Sequence, residues 1–142
     1  MTHYFDTSAI IKLLITEQGS DLARDLWNAS DVLTTNRVGY AEARAALAAA
    51  GRSGRLDSTE QASARRGLEE RFREVVVMEL TAELARDAGD AADEHGLRAY
   101  DAVHLASSLA LDRGSTVMVT WDRELAWAAY RSGLDIAGIS ID

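Results

Sequence analysis

Two periodicities alternate along the chain. Short apolar runs of strand composition occur at "HYFD" (3–6), "DVLTT" (31–35), "VVVMEL" (75–80), "TVMVT" (116–120) and "LDIAGISI" (134–141). Between them the apolar residues recur at helical spacing. The helical stretches are "SAIIKLLIT" (8–16), "GSDLARDLWNAS" (19–30), "VGYAEARAALAAAG" (38–51), "DSTEQASARRGLEERFRE" (57–74), "TAELARDAGDAADEHG" (81–96), residues 99–113 and "DRELAWAAYRSG" (122–133). Gly51, Gly114 and Gly133 stand where helices stop. Ser58 and Gln61 have capping-box spacing at the head of the charged helix. "VVVMEL" reads as a buried strand, and "GRSGR" (51–55) as the most linker-like stretch. Strands that alternate with helices predict a mostly parallel sheet covered on both faces, an α/β fold in three layers.

Composition narrows the picture. A chain of 142 residues predicts one domain, spanning 1–142, with enough material for a core of its own. Cysteine is absent, so disulfides and thiolate chemistry are excluded. No apolar run approaches the roughly 18 residues of a membrane span. The start, "MTHYFDTSAIIKLL", lacks the basic residues of a secretory signal, so the expected location is the cytoplasm. The net charge of −8 argues against a module that works only by gripping phosphates. It does not argue against an enzyme whose acids hold cations, because the ions reverse the local sign.

The acids then become informative. Ligands of open parallel sheets bind at the carboxyl ends of strands, near the point where the strand order reverses. Asp6 ends the first predicted strand, and Asp122 follows the fourth. Glu42 lies one turn into the third helix, and Asp101 in the first turn of the sixth. Each has a simpler explanation. Asp122 suits an N-cap. Asp101 suits the positive end of a helix dipole. Glu42 could pair with Arg37 or Arg44, and Asp6 could open a turn with Thr7 and Ser8. Together, four carboxylates at one sheet edge would repel unless one protonated or a cation sat among them. Oxygen donors without a cysteine or histidine set favour Mg²⁺ or Mn²⁺. Ser8 and Thr120 could orient carboxylates or water, and His104, three residues after Asp101, could be its local helix partner.

The stretches "FDTSAIIKLL", "EARAAL" (42–47), "LRAYDAVHLASSLAL" (97–111) and "VTWDREL" (119–125) together resemble the PIN-domain ribonucleases, and among them the VapC-type toxins of toxin–antitoxin pairs. The resemblance spans nearly the whole chain. It implies a PIN-domain-like α/β/α sandwich with a parallel five-stranded sheet. It implies an endoribonuclease dependent on Mg²⁺ or Mn²⁺, a cognate antitoxin, and a homodimer. It also implies an acidic site at Asp6, Glu42, Asp101 and Asp122, with supporting hydroxyls at Ser8 and Thr120. Asp6 and Asp101 are the expected direct metal ligands; Glu42 and Asp122 are expected to act directly or through water.

Two rival functions stay open. A catalytically weak PIN-like interaction domain would keep the fold and lose the chemistry. An aspartyl-phosphate phosphohydrolase would use Asp6 as nucleophile, but that chemistry wants a second Asp at position 8 and a late lysine. Position 8 is Ser8, and Lys12 is the only lysine. For RNA contacts, residues 52–73 hold six arginines against four acids, and Arg52 and Arg55 in the glycine-rich turn are the best candidates. Ile11, Leu14, Trp27 and Leu47 are candidates for an exposed groove that takes the antitoxin's apolar residues, with an antitoxin arginine against Asp6, Glu42 and Asp101.

Overall fold

Tyr4 and Phe5 make β1 (Thr2–Phe5) the middle of the fold. Both are buried, and alternation along a strand sends them to opposite faces. In the computed structural model of residues 1–142, β1 is followed by α1 (Thr7–Leu14), α2 (Ser20–Ala29), β2 (Val32–Asn36), α3 (Val38–Arg52), α4 (Ser58–Glu74) and β3 (Val76–Met78). Then come α5 (Ala82–His95), α6 (Ala99–Leu109), a 3-10 turn (Arg113–Ser115), β4 (Thr116–Thr120), α7 (Arg123–Arg131) and β5 (Asp135–Gly138). The five strands pair in the order β3-β2-β1-β4-β5, all parallel. The α/β sandwich with a five-stranded parallel sheet is therefore present.

The alternation decides which helices cover which face. Tyr4 and Met118 pack with Leu84, Leu105 and Leu125, which brings α5, α6 and α7 to one side. Phe5 and Val119 pack with Ile10, Trp27, Ala43 and Leu68, which brings α1 to α4 to the other. A third cluster, Leu47, Ala50, Leu56 and Ala64, closes the α3–α4 hairpin under Ile11 and Leu14. Alanine at the contact positions of α5 and α6 (Ala88, Ala91, Ala102, Ala106) lets these two helices approach closely. No helix is long and apolar enough to cross a membrane.

Several local expectations change. "VVVMEL" is not a buried strand: β3 keeps only Val76–Met78, and Val76 is 60% exposed. The reason is its place at the sheet edge, with β2 on one side and solvent on the other. The capping box at α4 uses Asp57 and Glu60, one residue earlier than Ser58 and Gln61. Residues 110–113 leave the helix, and α6 stops at Leu109.

Trp27 and Leu47 are core residues and not part of an exposed groove. Leu47 is fully buried, and Trp27 is buried against Phe5 with its indole N–H donating to Glu74 at 2.9 Å. Leu47→Ala is therefore expected to cost about 2–5 kcal/mol of stability, the range for truncating a core leucine. A urea titration reads it, and a loss below about 0.5 kcal/mol would return Leu47 to the surface. Ile11 and Leu14 are half-buried.

Candidate active site

The chain leaves β1 toward β2 and β3 on one side, then crosses back to β4 and β5 on the other. The order reverses between β1 and β4, and their carboxyl ends open a crevice there. Asp6 follows β1 directly, and its backbone N–H donates to the Val119 carbonyl of β4 at 3.2 Å. Asp122 leaves β4 after Trp121. Asn36, at the end of β2, accepts from the Val38 N–H at 3.0 Å and so starts α3, which carries Glu42 inward. Asp101 comes from the first turn of α6. The four acids line one open cavity of about 400 Å³, together with Thr7, Ser8, Lys12, Arg98, His104 and Trp121.

Two of the acids serve as caps and site residues at once. Asp6 is the N-cap of α1, its Oδ1 accepting from Ala9 N at 2.9 Å. Asp122 is the N-cap of α7, accepting from Leu125 N at 2.9 Å. The cap explanations hold locally, yet both carboxylates still face the cavity. Glu42 pairs with neither Arg37 nor Arg44. Arg37 forms a fork with Glu79, and Arg44 donates to the Tyr40 hydroxyl at 2.9 Å.

The donors around each carboxylate decide what it can still hold. An ionised carboxylate offers about four lone-pair sites. Asp6 has three donors: Ser8 Oγ at 2.7 Å, Ala9 N, and Thr120 Oγ1 at 2.6 Å. Glu42 has two on one oxygen: Thr7 Oγ1 at 2.7 Å and His104 Nε2 at 2.7 Å. Asp122 has one. Asp101 has no hydrogen bond, only Arg98 Nε at 3.8 Å. The acid with the most unused lone pairs is thus Asp101. Ser8 and Thr120 also tie the strands' ends together, since Ser8 accepts from Trp121 N at 2.8 Å and Thr120 from Asp122 N at 3.0 Å.

The proton affinities carry the mark of crowding. Burial, then Asp122, then Asp6 push Asp101 up to about 6, against the pull of Arg98. Burial also raises Asp6, although the donors from Thr120, Ser8 and Ala9 oppose it. Glu42 goes the other way: burial would raise it, but the His104 and Thr7 hydrogen bonds and the charge of Arg98 hold it below its ordinary value. Three acids that raise or crowd one another around an open cavity form a donor set that a divalent cation would relieve.

The donor chemistry fits such an ion, all oxygen and no sulfur. No three acids or histidines converge tightly enough to chelate an ion by themselves.

The cavity's cations are Lys12 and Arg98, not Arg52 and Arg55. Arg52, the last residue of α3, and Arg55, just past it, are exposed, and Arg55 lines a separate groove with Leu14, Ile15 and Leu56. Lys12 lies one helical turn past Ser8, and Arg98 three residues before Asp101, so both spacings were available in the sequence. Trp121 was not foreseen either. Its indole packs against Gly19, which has φ 95°; a Cβ there would lie 2.8 Å from Trp121 Nε1. Only glycine allows both that turn and that contact. Lys12 Nζ sits 5.7 Å from the Trp121 ring centroid and 2.7 Å from the Gln18 carbonyl.

A family model described as "PIN domain" matches residues 3–129. Ribonuclease VapC45 of Mycobacterium tuberculosis (strain CDC 1551 / Oshkosh) is 45% identical over 139 residues, covering 98% of this chain and 96% of the relative. Among solved structures, PAE2754 from Pyrobaculum aerophilum superposes with a TM-score of 0.71 at 26% identity, over 96% of this chain and 83% of that one. VapC20 of Mycobacterium tuberculosis, a Sarcin-Ricin loop cleaving toxin, gives 0.67 at 20% identity over 89% and 94%. A toxin–antitoxin complex from Klebsiella pneumoniae gives 0.60 at 14% identity over 84% and 86%, a likeness of fold.

Proposed function

The chain belongs to the PIN domain family, and on that premise we propose that it is a VapC-type toxin: an endoribonuclease that uses Mg²⁺ or Mn²⁺ bound at Asp6 and Asp101. The observation that carries this reading is the convergence of four carboxylates, distant in sequence, on one cavity at the sheet's switch point. The 45% identity to a VapC ribonuclease supports the same chemistry.

In the proposed reaction a water oxygen bonds to phosphorus, one P–O ester bond breaks, the water's proton passes to a carboxylate or to solvent, and the leaving oxygen takes a proton from solvent to depart as a hydroxyl. A cation bound at Asp101 and Asp6 supplies Lewis acidity and offsets charge on the phosphate. Asp101 brings unused lone pairs, and Asp6 brings a carboxylate already oriented by Ser8 and Thr120. Glu42 stays ionised and leaves one oxygen, Oε2, without a donor, so it can accept from a water and orient it. Asp122, with one oxygen on the α7 cap, keeps the other free to hold waters. Arg98, beside Asp101, and Lys12, beside Trp121, meet the phosphates that flank the cut.

In this reading the protein acts in the cytoplasm with RNA, a second copy of the chain and an antitoxin as partners. An antitoxin arginine would suit the cavity, because a guanidinium can fork onto two carboxylate oxygens. Incubation of the protein with total RNA, with and without Mg²⁺ or Mn²⁺, followed by mapping of new 5′ ends, tests the activity. Defined new ends that need the metal are expected; an unchanged profile alongside the Asp101→Asn control would leave the interaction-domain reading.

The placement of the cations gives a second measurement. Arg98→Glu should weaken RNA binding and lower the slope of log affinity against log salt by about one or more, since each phosphate contact contributes roughly 0.7–0.9 to it. Arg52→Glu with Arg55→Glu should change that slope less, because neither lines the cavity. The opposite ranking would put the RNA path over the α3–α4 turn.

A further inference from the structure

His104 stands out on α6 as a polar ring among Ala102, Val103, Leu105 and Ala106, and it is 1% exposed. A leucine would fill that space with no polar atom to satisfy. Both ring nitrogens are instead engaged. Nδ1 lies 2.7 Å from the Tyr4 hydroxyl of β1. Nε2 lies 2.7 Å from Glu42 Oε1 and 3.1 Å from Thr7 Oγ1. The partners decide the tautomer. Glu42 Oε1 only accepts, so Nε2 carries the proton. Burial holds the Tyr4 hydroxyl up, so it keeps its proton and can donate it to Nδ1, the ring nitrogen left without one. The hydrogen bonds run in one direction, from Tyr4 through His104 to Glu42.

We propose that His104 is a positioning residue for the ribonuclease reaction, one that binds Glu42 Oε1 from the core side and leaves Oε2 turned to the cavity for water. This rests on the endoribonuclease reading above. Glu42 is a long, flexible side chain on α3, and nothing on α3 itself holds its carboxylate. Thr7 from α1 and His104 from α6 hold it from the two helical layers, and Tyr4 fixes the imidazole from the sheet between them. Such outer partners commonly set activity by about 10–100-fold by orienting the groups that touch substrate or metal. In this proposal His104 binds neither substrate nor metal itself and acts through Glu42.

Single-turnover cleavage of a labelled RNA fragment, with saturating Mn²⁺, separates the maximal rate from the half-saturating enzyme concentration. His104→Leu is expected to lower the maximal rate about 10–100-fold with half-saturation unchanged. His104→Gln, which can place an amide N–H near the position of Nε2, should recover a large part of that loss, and Tyr4→Phe should fall between. In a Glu42→Gln background, His104→Leu should add less than about twofold, since residues acting through one group are not independent. Multiplying effects of His104→Leu and Glu42→Gln, or His104→Gln no better than His104→Leu with both folded, would overturn the proposal. A nitrogen-correlated NMR spectrum of the imidazole needs no substrate: protonated Nε2 with bare Nδ1 is expected, and the reverse tautomer overturns the proposal. A parent protein that cuts no RNA while showing the expected tautomer would fail the ribonuclease reading and leave the Tyr4–His104–Glu42 contact intact.

Discussion

Asp101→Asn is expected to lower RNA cleavage by more than about a hundredfold, the upper end of what outer partners of a metal site contribute, while making the metal-free protein more stable at pH 7. The two effects share one cause. Asp101 is half-buried beside Asp122 and Asp6, and this crowding pushes its carboxyl up to about 6 from 3.8. A carboxyl raised on folding binds its proton more tightly in the folded state. Its penalty is therefore absent below pH 4, grows as pH rises from about 4 to 6, and is complete above 6. At pH 7 the charged side chain costs on the order of 1–2 kcal/mol after allowance for solvent screening. Asparagine removes that charge at almost the same size. The melting temperature in EDTA should rise at pH 7 and match the parent's at pH 4. Equal gains at both pH values would mean that the effect is packing, and full cleavage by the variant would remove Asp101 from the metal site. Asp6→Asn should lose cleavage as well and keep the fold, because its amide oxygen can still cap α1 through Ala9.

The second large effect is that of the metal itself. EDTA should abolish cleavage, Mg²⁺ or Mn²⁺ should restore it, and Ca²⁺ should do so poorly because it prefers more ligands at longer distances. Activity is not the only readout. A cation that binds the folded chain alone stabilises it by RT ln(1 + [M]/Kd), about 2.7 kcal/mol at a hundred times Kd. Mn²⁺ should therefore raise the melting temperature of the parent protein more than it raises that of Asp101→Asn, because the variant lacks both the repulsion and the ligand. Equal Mn²⁺ shifts in parent and variant would place the ion elsewhere. Full cleavage in EDTA would remove the metal from the mechanism.

Much of this protein could be read along the chain. The strand and helix order, the three layers and the places of Asp6, Glu42, Asp101 and Asp122 at strand ends or helix starts follow from local periodicity, which reports which face of an element is apolar. "FDTSAIIKLL" and "LRAYDAVHLASSLAL" carried the family resemblance because their acids and their apolar positions lie within a few residues of each other. What periodicity does not report is which apolar face meets which. That depended on the strand order β3-β2-β1-β4-β5, which left "VVVMEL" at an edge, and on the helix packing that buried Trp27 against Phe5 and Leu47 within the α3–α4 hairpin. The tertiary structure put Lys12 and Arg98, not Arg52 and Arg55, at the cavity. It also joined Tyr4, His104 and Glu42, residues 100 and 62 positions apart. A hydrogen bond needs its atoms within about 3 Å, and over such separations only the packing of β1, α3 and α6 against one another brings them that close.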